Sequence, residues 1–235
     1  MIVAQRLLIA GLLTAWAGVC LAAPPSGASS ALTATPAAPT SQGSSAGAAA
    51  PGQSADVKAA RMSVERLQDT LLKVMQDGKK LGYDGRYREL DPVVRKVFDF
   101  PLISRAVMGQ DWDKLDSRQQ GQLRDMLAKL SVSSYAKEFD SYSGERFVYG
   151  GSQSIGGRLL VDYTLESGGD KHRFDYQMQR NDAGAWQITN VIVDGVSDLA
   201  LKSGQYRALF AKQGYAALIA WISKQIKANA EHATA

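Results

Sequence analysis

The chain has little with which to do covalent or redox chemistry. Among 235 residues it carries one cysteine, Cys20, and two histidines, His172 and His232. A lone cysteine excludes an intramolecular disulfide. If processing removes it, thiolate catalysis and cysteine metal sites go as well. No Asp, Cys or second His stands at metal-ligand spacing from His172, so no metal is expected. No cofactor signature appears either. The Gly-rich stretch from Gly150 to Gly157 lacks the spacing of a nucleophile elbow and the Lys-Ser/Thr pair of a phosphate loop. It reads as two bends flanking a hairpin. Charge of one sign is also scarce. The net charge is +4, with acids and bases interspersed, which describes a solvated mixed surface rather than a nucleic-acid footprint.

What is present begins with an export signal. Arg6 precedes the apolar run Leu7 to Val19, and small residues follow at Ala22 and Ala23. That run is too short to span a bilayer comfortably, and the pattern is that of a secretory signal peptide over residues 1–22. The expected compartment is the periplasm. Lipidation at Cys20 is disfavoured by Val19, which stands where lipidation signals prefer a small residue. Residues 23–55 are almost entirely Ala, Pro, Ser, Gly and Thr, too poor in large apolar residues to offset their ordering entropy. They read as a disordered linker. Residues 56–230 are the size of one domain.

The front of that domain has helical periodicity. Val64, Leu67, Leu71, Val74 and Met75 share one face, with Glu65, Arg66, Lys73 and Gln76 between them. Gly78 closes the segment. Asp91-Pro92 reads as a fresh helix start, followed by Val93, Val94, Val97 and Phe98. Beyond Pro101, Leu102 to Met108 form a short helix ending at Gly109. Asp116 with Gln119 three residues on reads as a capping box. The helix behind it carries Leu123, Met126, Leu127 and Leu130 and extends towards Phe139.

The period then changes to two. Phe147 and Tyr149 alternate, as do Leu159 to Leu165, His172 to Met178, and the run from Trp186 to Val193. Gly- and Asn-rich turns separate the runs, which predicts hairpins in an antiparallel meander. Helical spacing returns after Asp198, read as a cap, and is interrupted at Gly214. The predicted class is α+β: an antiparallel sheet of about four strands, with helices before and after it packed over one face.

Candidate catalytic groups are few. Asp111 and Asp113 bracket Trp112, and Asp194 lies near Asp198, but such residues more often cap helices and turns. A hydrolase would have to centre on His172 with Asp175 or Asp194. The alternation instead collects Phe147, Tyr149, Val161, Tyr163, Phe174, Tyr176, Met178, Trp186 and Ile188 on one sheet face. Val107, Met108, Leu127 and Tyr135 are the helical residues expected to face them. Rings and thioethers of this kind can line a curved apolar cavity and adapt to a hydrocarbon chain, although any one of them is equally at home in plain core. A register slip of one residue would exchange this set for its neighbours.

Three stretches in order give a resemblance. Trp186-Gln187-Ile188-Thr189-Asn190-Val191-Ile192-Val193-Asp194-Gly195-Val196-Ser197 resembles the MlaC, or toluene-tolerance, family of periplasmic phospholipid carriers. Phe98 to Trp112 looks like that family's Phe-Pro, short-helix, Gly-x-x-Trp segment. Tyr206 to Phe210 with Gln213 to Ile219 looks like its closing helices. The departure Asp198-Leu199-Ala200-Leu201-Lys202 looks more like the hopanoid-associated HpnM branch. The resemblance implies a non-enzymatic carrier with no cofactor, whose ligand is a hopanoid or phospholipid held in an apolar cavity, open at one end, that a highly curved antiparallel sheet and the helices over one of its faces enclose. It further implies exchange with an inner-membrane transporter and an outer-membrane acceptor complex. An envelope adaptor with a filled core is the main alternative, and a lipid-ester hydrolase the lesser one.

Overall fold

A computed structural model describes residues 51–232, with side chains over 55–231. The expected signal peptide, Cys20 and residues 23–50 of the expected linker lie outside the described residues, as does the side chain of His232. Helix α1 (Pro51–Gln76) is followed by α2 (Gly78–Val97), α3 (Phe100–Met108) and a 3-10 turn (Gly109–Lys114). Helix α4 (Ser117–Glu138) precedes five strands: β1 (Arg146–Ile155), β2 (Arg158–Ser167), β3 (Asp170–Arg180), β4 (Trp186–Val193) and the short β5 (Val196–Ser197). Helix α5 (Asp198–His232) ends the described chain. The architecture is α+β. The sheet runs in the order β1-β2-β3-β4-β5, antiparallel throughout and not closed.

The helices form where burial dictates. In α1 the stripe Ala60, Val64, Leu67, Leu71, Val74 and Met75 is buried at helical spacing, so α1 packs chiefly on α2 and β4. Asp91-Pro92 does not start a helix as the sequence suggests. Pro92 sits inside α2 on an exposed position, and the break falls at Gly82, whose φ is +60°. The buried set Tyr83, Leu90, Val94 and Val97 straddles the proline. Packing of that stripe outweighs the lost backbone bond. Asp91 takes the Arg95 side chain at 2.9 Å rather than a backbone N–H.

The expected start of α4 holds, whereas α3 begins at Phe100, two residues before expectation, with Pro101 inside its first turn, where a missing N–H costs nothing. Asp99 accepts from the Leu102 N–H at 2.9 Å. Asp116 and Gln119 form the reciprocal capping box. Helix α5 differs by one residue: Ser197 is the cap, its Oγ accepting from Ala200 N at 3.1 Å, while Asp198 pairs with Lys202 at 2.6 Å. Gly214 interrupts α5 as expected, at φ +77°.

The sheet corrects one turn. Gly150-Gly151 is not a bend but a bulge within β1, where the register against β2 shifts between Tyr149 and Gly151. At its far edge β4 is met by the α2–α3 link: Phe98 bridges Ile188 in parallel, and Asp99 N donates to Ile188 O at 2.9 Å. β1 forms the other edge of the sheet.

Two buried features lock the helices together. Arg86 donates to Ala136 O at 2.7 Å and to Gly78 O at 2.9 Å, satisfying carbonyls at the end of α4 and the start of α2. A Cβ on Gly78 would lie 2.0 Å from the Asp140 carbonyl oxygen. That neighbour is backbone and cannot yield cheaply. Gly78→Ala is therefore expected to destabilise the domain by about 3 kcal/mol through overpacking, read as a shift in the urea midpoint. Wild-type stability in this variant would contradict the packing described.

Candidate functional site

One face of the sheet carries an aromatic array. Cross-strand pairing puts Phe147, Leu165 and His172 in one row. Tyr149, Tyr163, Phe174 and Val193 form the next. Val161, Tyr176 and Val191 form a third, and Leu159, Met178 and Ile188 a fourth. Paired residues share a face, so eight of the nine strand residues singled out by alternation are brought together, and Trp186 stands one step further along β4, opposite Arg180. A bulge at Thr189, between the Gln177 and Met178 pairings, keeps Ile188 and Val191 on the same side. The rings touch edge to face: Phe147 to Phe174 at 6.0 Å, Tyr149 to Tyr163 at 5.5 Å, and Tyr163 to Tyr176 at 6.1 Å between centroids.

Helix α1 meets the three tyrosines with three polar side chains. Arg61 lays its guanidinium over the Tyr149 ring at 3.9 Å. Glu65 accepts from the Tyr163 hydroxyl at 2.9 Å and from Arg61 Nη2 at 2.8 Å. Gln68 Nε2 donates to the Tyr176 hydroxyl at 3.4 Å. The series runs inward, since Tyr149, Tyr163 and Tyr176 are 36%, 3% and 2% exposed. This ladder was missed in the sequence, where Glu65 falls on the outward face of α1. No sequence signal marks it, since 61, 65 and 68 follow the ordinary helical period of any face of α1.

Tyr135 lies at the inner end. Its ring is 6.2 Å from Phe98 and 5.8 Å from Phe139, both buried. Burial, then the nearby Tyr176 hydroxyl and the Asp198 carboxylate, hold the Tyr135 hydroxyl well above its usual pKa. Yet part of its surface stays accessible. Phe147, Val191 and Val193, on the same sheet face, are likewise only partly buried. The remaining helical candidates, Val107, Met108 and Leu127, are fully enclosed, and Ser203 of α5 donates to Val107 O at 2.9 Å. Trp186 is buried too, its indole 5.2 Å from the Arg180 guanidinium and its N–H 3.4 Å from Asp56.

Of the carboxylates weighed for catalysis, Asp194 does meet His172, while Asp111, Asp175 and Asp198 pair with cations. Asp111 holds Lys114 at 2.6 Å and Arg207 at 3.6 Å. Asp175 pairs with Arg173 at 2.8 Å. Asp194 takes His172 Nδ1 at 2.7 Å and the Arg173 N–H at 2.8 Å, from the turn where its own φ is +50°. No serine hydroxyl among the described residues is hydrogen-bonded to His172. Nor do three or more His, Cys, Asp or Glu gather to hold a metal there. No described helix is long and apolar enough to cross a membrane. A pocket of about 230 Å³ opens elsewhere, at the β2–β3 turn, and is lined by polar residues such as Arg146, Glu166, Ser167 and Lys171. Its cations are tied to Glu166 at 2.5 and 2.9 Å.

Comparison with known proteins gives a consistent picture. The family model described as MlaC protein matches residues 65–224. No curated protein matches the chain. Among the solved structures that match is a phospholipid-binding protein from Ralstonia solanacearum, in complex with a phospholipid. It superposes with a TM-score of 0.65 at 18% identity, covering 73% of this chain and 98% of that one. At that identity the likeness establishes a shared fold.

The ladder predicts a pH dependence. Burial pushes the Glu65 carboxyl up, but the hydrogen bonds from Arg61 and Tyr163 outweigh it and leave the group below its ordinary value of 4.5. A carboxyl lowered on folding contributes stability above its unfolded pKa and loses it as pH falls through the folded one. Wild type is thus expected to melt above Glu65→Gln at neutral pH, with the gap closing only below about pH 4.5. Thermal melts across pH check this; a gap that widens in acid would contradict the assignment.

Proposed function

The chain belongs to the MlaC family, and from that membership we propose that it carries an apolar lipid through the periplasm between the inner and outer membranes. The cargo class is a hopanoid or a phospholipid. The departure after Ser197 favours the HpnM branch. The observation that carries the reading is the aromatic face of the sheet, where Phe147, Phe174, Tyr163 and Tyr176 meet ring to ring and Phe147 stays only partly buried. A lipid crossing water must hide hundreds of Å² of apolar surface, at roughly 25 cal/mol per Å². Carriage therefore needs an adaptable apolar interior and no reacting group. Tyr163, Tyr176, Phe174 and Met178 supply the walls, and Phe147 and Val193 their partly accessible end. Export places the chain in the periplasm. An inner-membrane transporter and an outer-membrane acceptor complex would load and unload it by offering comparable burial.

A second reading rests on a specific observation. Val161, Met178 and Ile188 have no exposed surface at all, as in a filled core, which suits an envelope adaptor that binds protein instead.

Native mass spectrometry of the chain purified from its exported form separates the two. The carrier is expected to retain one lipid per chain, and the adduct mass identifies hopanoid or phospholipid. Absence of any adduct, together with failure to take up a labelled lipid from vesicles, would overturn the carrier and favour the adaptor.

A further inference from the structure

Helix α1 lies across the aromatic face of the sheet, but the first strand keeps an open edge. β1 heads the strand order, and no backbone bond joins it to any described segment other than β2. Its outward N–H and C=O groups are a template for another strand. The devices that blunt such an edge are sparse on its first half. Arg146-Phe147-Val148-Tyr149 contains no proline and no lysine, and the Gly150-Gly151 bulge comes only after it. Val148 is 41% exposed there.

This edge is charged in a self-complementary way. Pairing with Glu166, Thr164 and Asp162 puts Arg146, Val148 and Gly151 on the face opposite the aromatic array. Glu166 is shared between Arg146 at 2.5 Å and Lys171 at 2.9 Å, and the Arg146 side chain stays 71% exposed. Asp162 has the reverse condition. It stands directly opposite Asp175, and the nearby cation Arg173 is bonded to Asp175 at 2.8 Å. Like charges facing each other across a sheet are destabilising. The Asp162 carboxylate also leans over the bulge. A Cβ on Gly150 would lie 1.9 Å from its Oδ2, and one on Gly151 3.3 Å from its Oδ1. Glycine at both positions leaves that carboxylate open to a side chain arriving from the free edge.

We infer that β1 is the interface of a two-fold dimer of this chain, joined by antiparallel β1–β1 pairing about Val148. An axis through Val148 sets this residue against its own copy. It sets Phe147 against the partner's Tyr149, and Arg146 against the partner's Gly150-Gly151 bulge. Neighbouring strands lie roughly 5 Å apart, so an arginine stem can cross the glycine gap to the partner's Asp162. Every contact occurs twice, as an isologous interface requires. The bulge ends the pairing, so the interface is short. Its area falls at the low end of the specific range and gives a weak, reversible dimer. The pairing stands apart from the identity of the cargo.

Sedimentation velocity of the full exported chain tests it. Wild type is expected to pass reversibly from monomer to dimer between about 5 and 500 µM, the range of a small interface. Val148→Lys places two ammonium groups against each other on the axis and is expected to stay monomeric. Asp162→Asn is expected to weaken the dimer by about tenfold or more, since a charge-assisted hydrogen bond is lost on both sides of the axis. Ile155→Lys, on the same face of β1 but beyond the bulge, keeps the wild-type association. Circular dichroism checks that each variant is folded. Mild oxidation is expected to cross-link Val148→Cys into a covalent dimer and to leave Ile155→Cys uncoupled, with wild type run in parallel to account for Cys20. A wild type that stays monomeric throughout, or a dimer that survives both Val148→Lys and Asp162→Asn, overturns the pairing. So does open-ended growth into larger species, because a two-fold interface closes on itself.

Discussion

The structure depends on how α1 lies across the sheet. One stripe of the helix, Ala60, Val64, Leu67 and Leu71, is sealed into the core. Each such burial contributes roughly 1.5–3 kcal/mol for the larger side chains. An adjacent stripe, Arg61, Glu65 and Gln68, instead meets three tyrosines through single polar contacts. Hydrogen bonds of this kind contribute only about 1 kcal/mol each net, since the unfolded chain exchanges them for bonds to water. The helix is therefore firmly seated along one side and lightly latched along the other. A fold that must admit and release an apolar molecule needs that asymmetry. A uniformly apolar contact would resist opening, and a uniformly polar one would not hold.

Much of this was legible in the sequence. Strand alternation identified the inner face correctly because the side-chain period is two and short glycine turns pin the register; the pairings of Tyr163 with Phe174 and of Val161 with Tyr176 bear it out. The capping box at Asp116 was equally plain, being a local signal with a local cause. Errors arose where long-range packing overrode local preference. Pro92 reads as a helix start, yet the stripe from Tyr83 to Val97 runs through it. Gly150-Gly151 reads as a turn, yet it lies inside β1, where a Cβ on Gly150 would meet the Asp162 carboxylate at 1.9 Å. Asp198 reads as a cap, but Asn190, bonded to Ser197 and to the Leu199 N–H, sets Ser197 there instead.

The ladder on α1 was not legible for a different reason. Its members are ordinary helix residues, and nothing in their spacing distinguishes a solvated face from one that meets tyrosines on strands about a hundred residues away. Tyr135 was chosen from the helix pattern, but its combination of depth and accessible surface is visible only in three dimensions. The family resemblance was carried by turns, caps and strand ends. Those segments fix the shape of the interior rather than its chemistry, which is why they pointed to a fold and a class of ligand but not to the ladder on α1.

The central claim is that lipid chains lie between the helices and the aromatic face of the sheet. It is tested most directly by placing the photoreactive benzoylphenylalanine at Tyr135, and separately at Val148, whose side chain emerges on the opposite face of β1. Each protein is loaded with a radiolabelled lipid and irradiated. The account predicts strong labelling from position 135 and background labelling from 148. Labelling confined to position 148, in a protein that demonstrably binds the lipid, would contradict it.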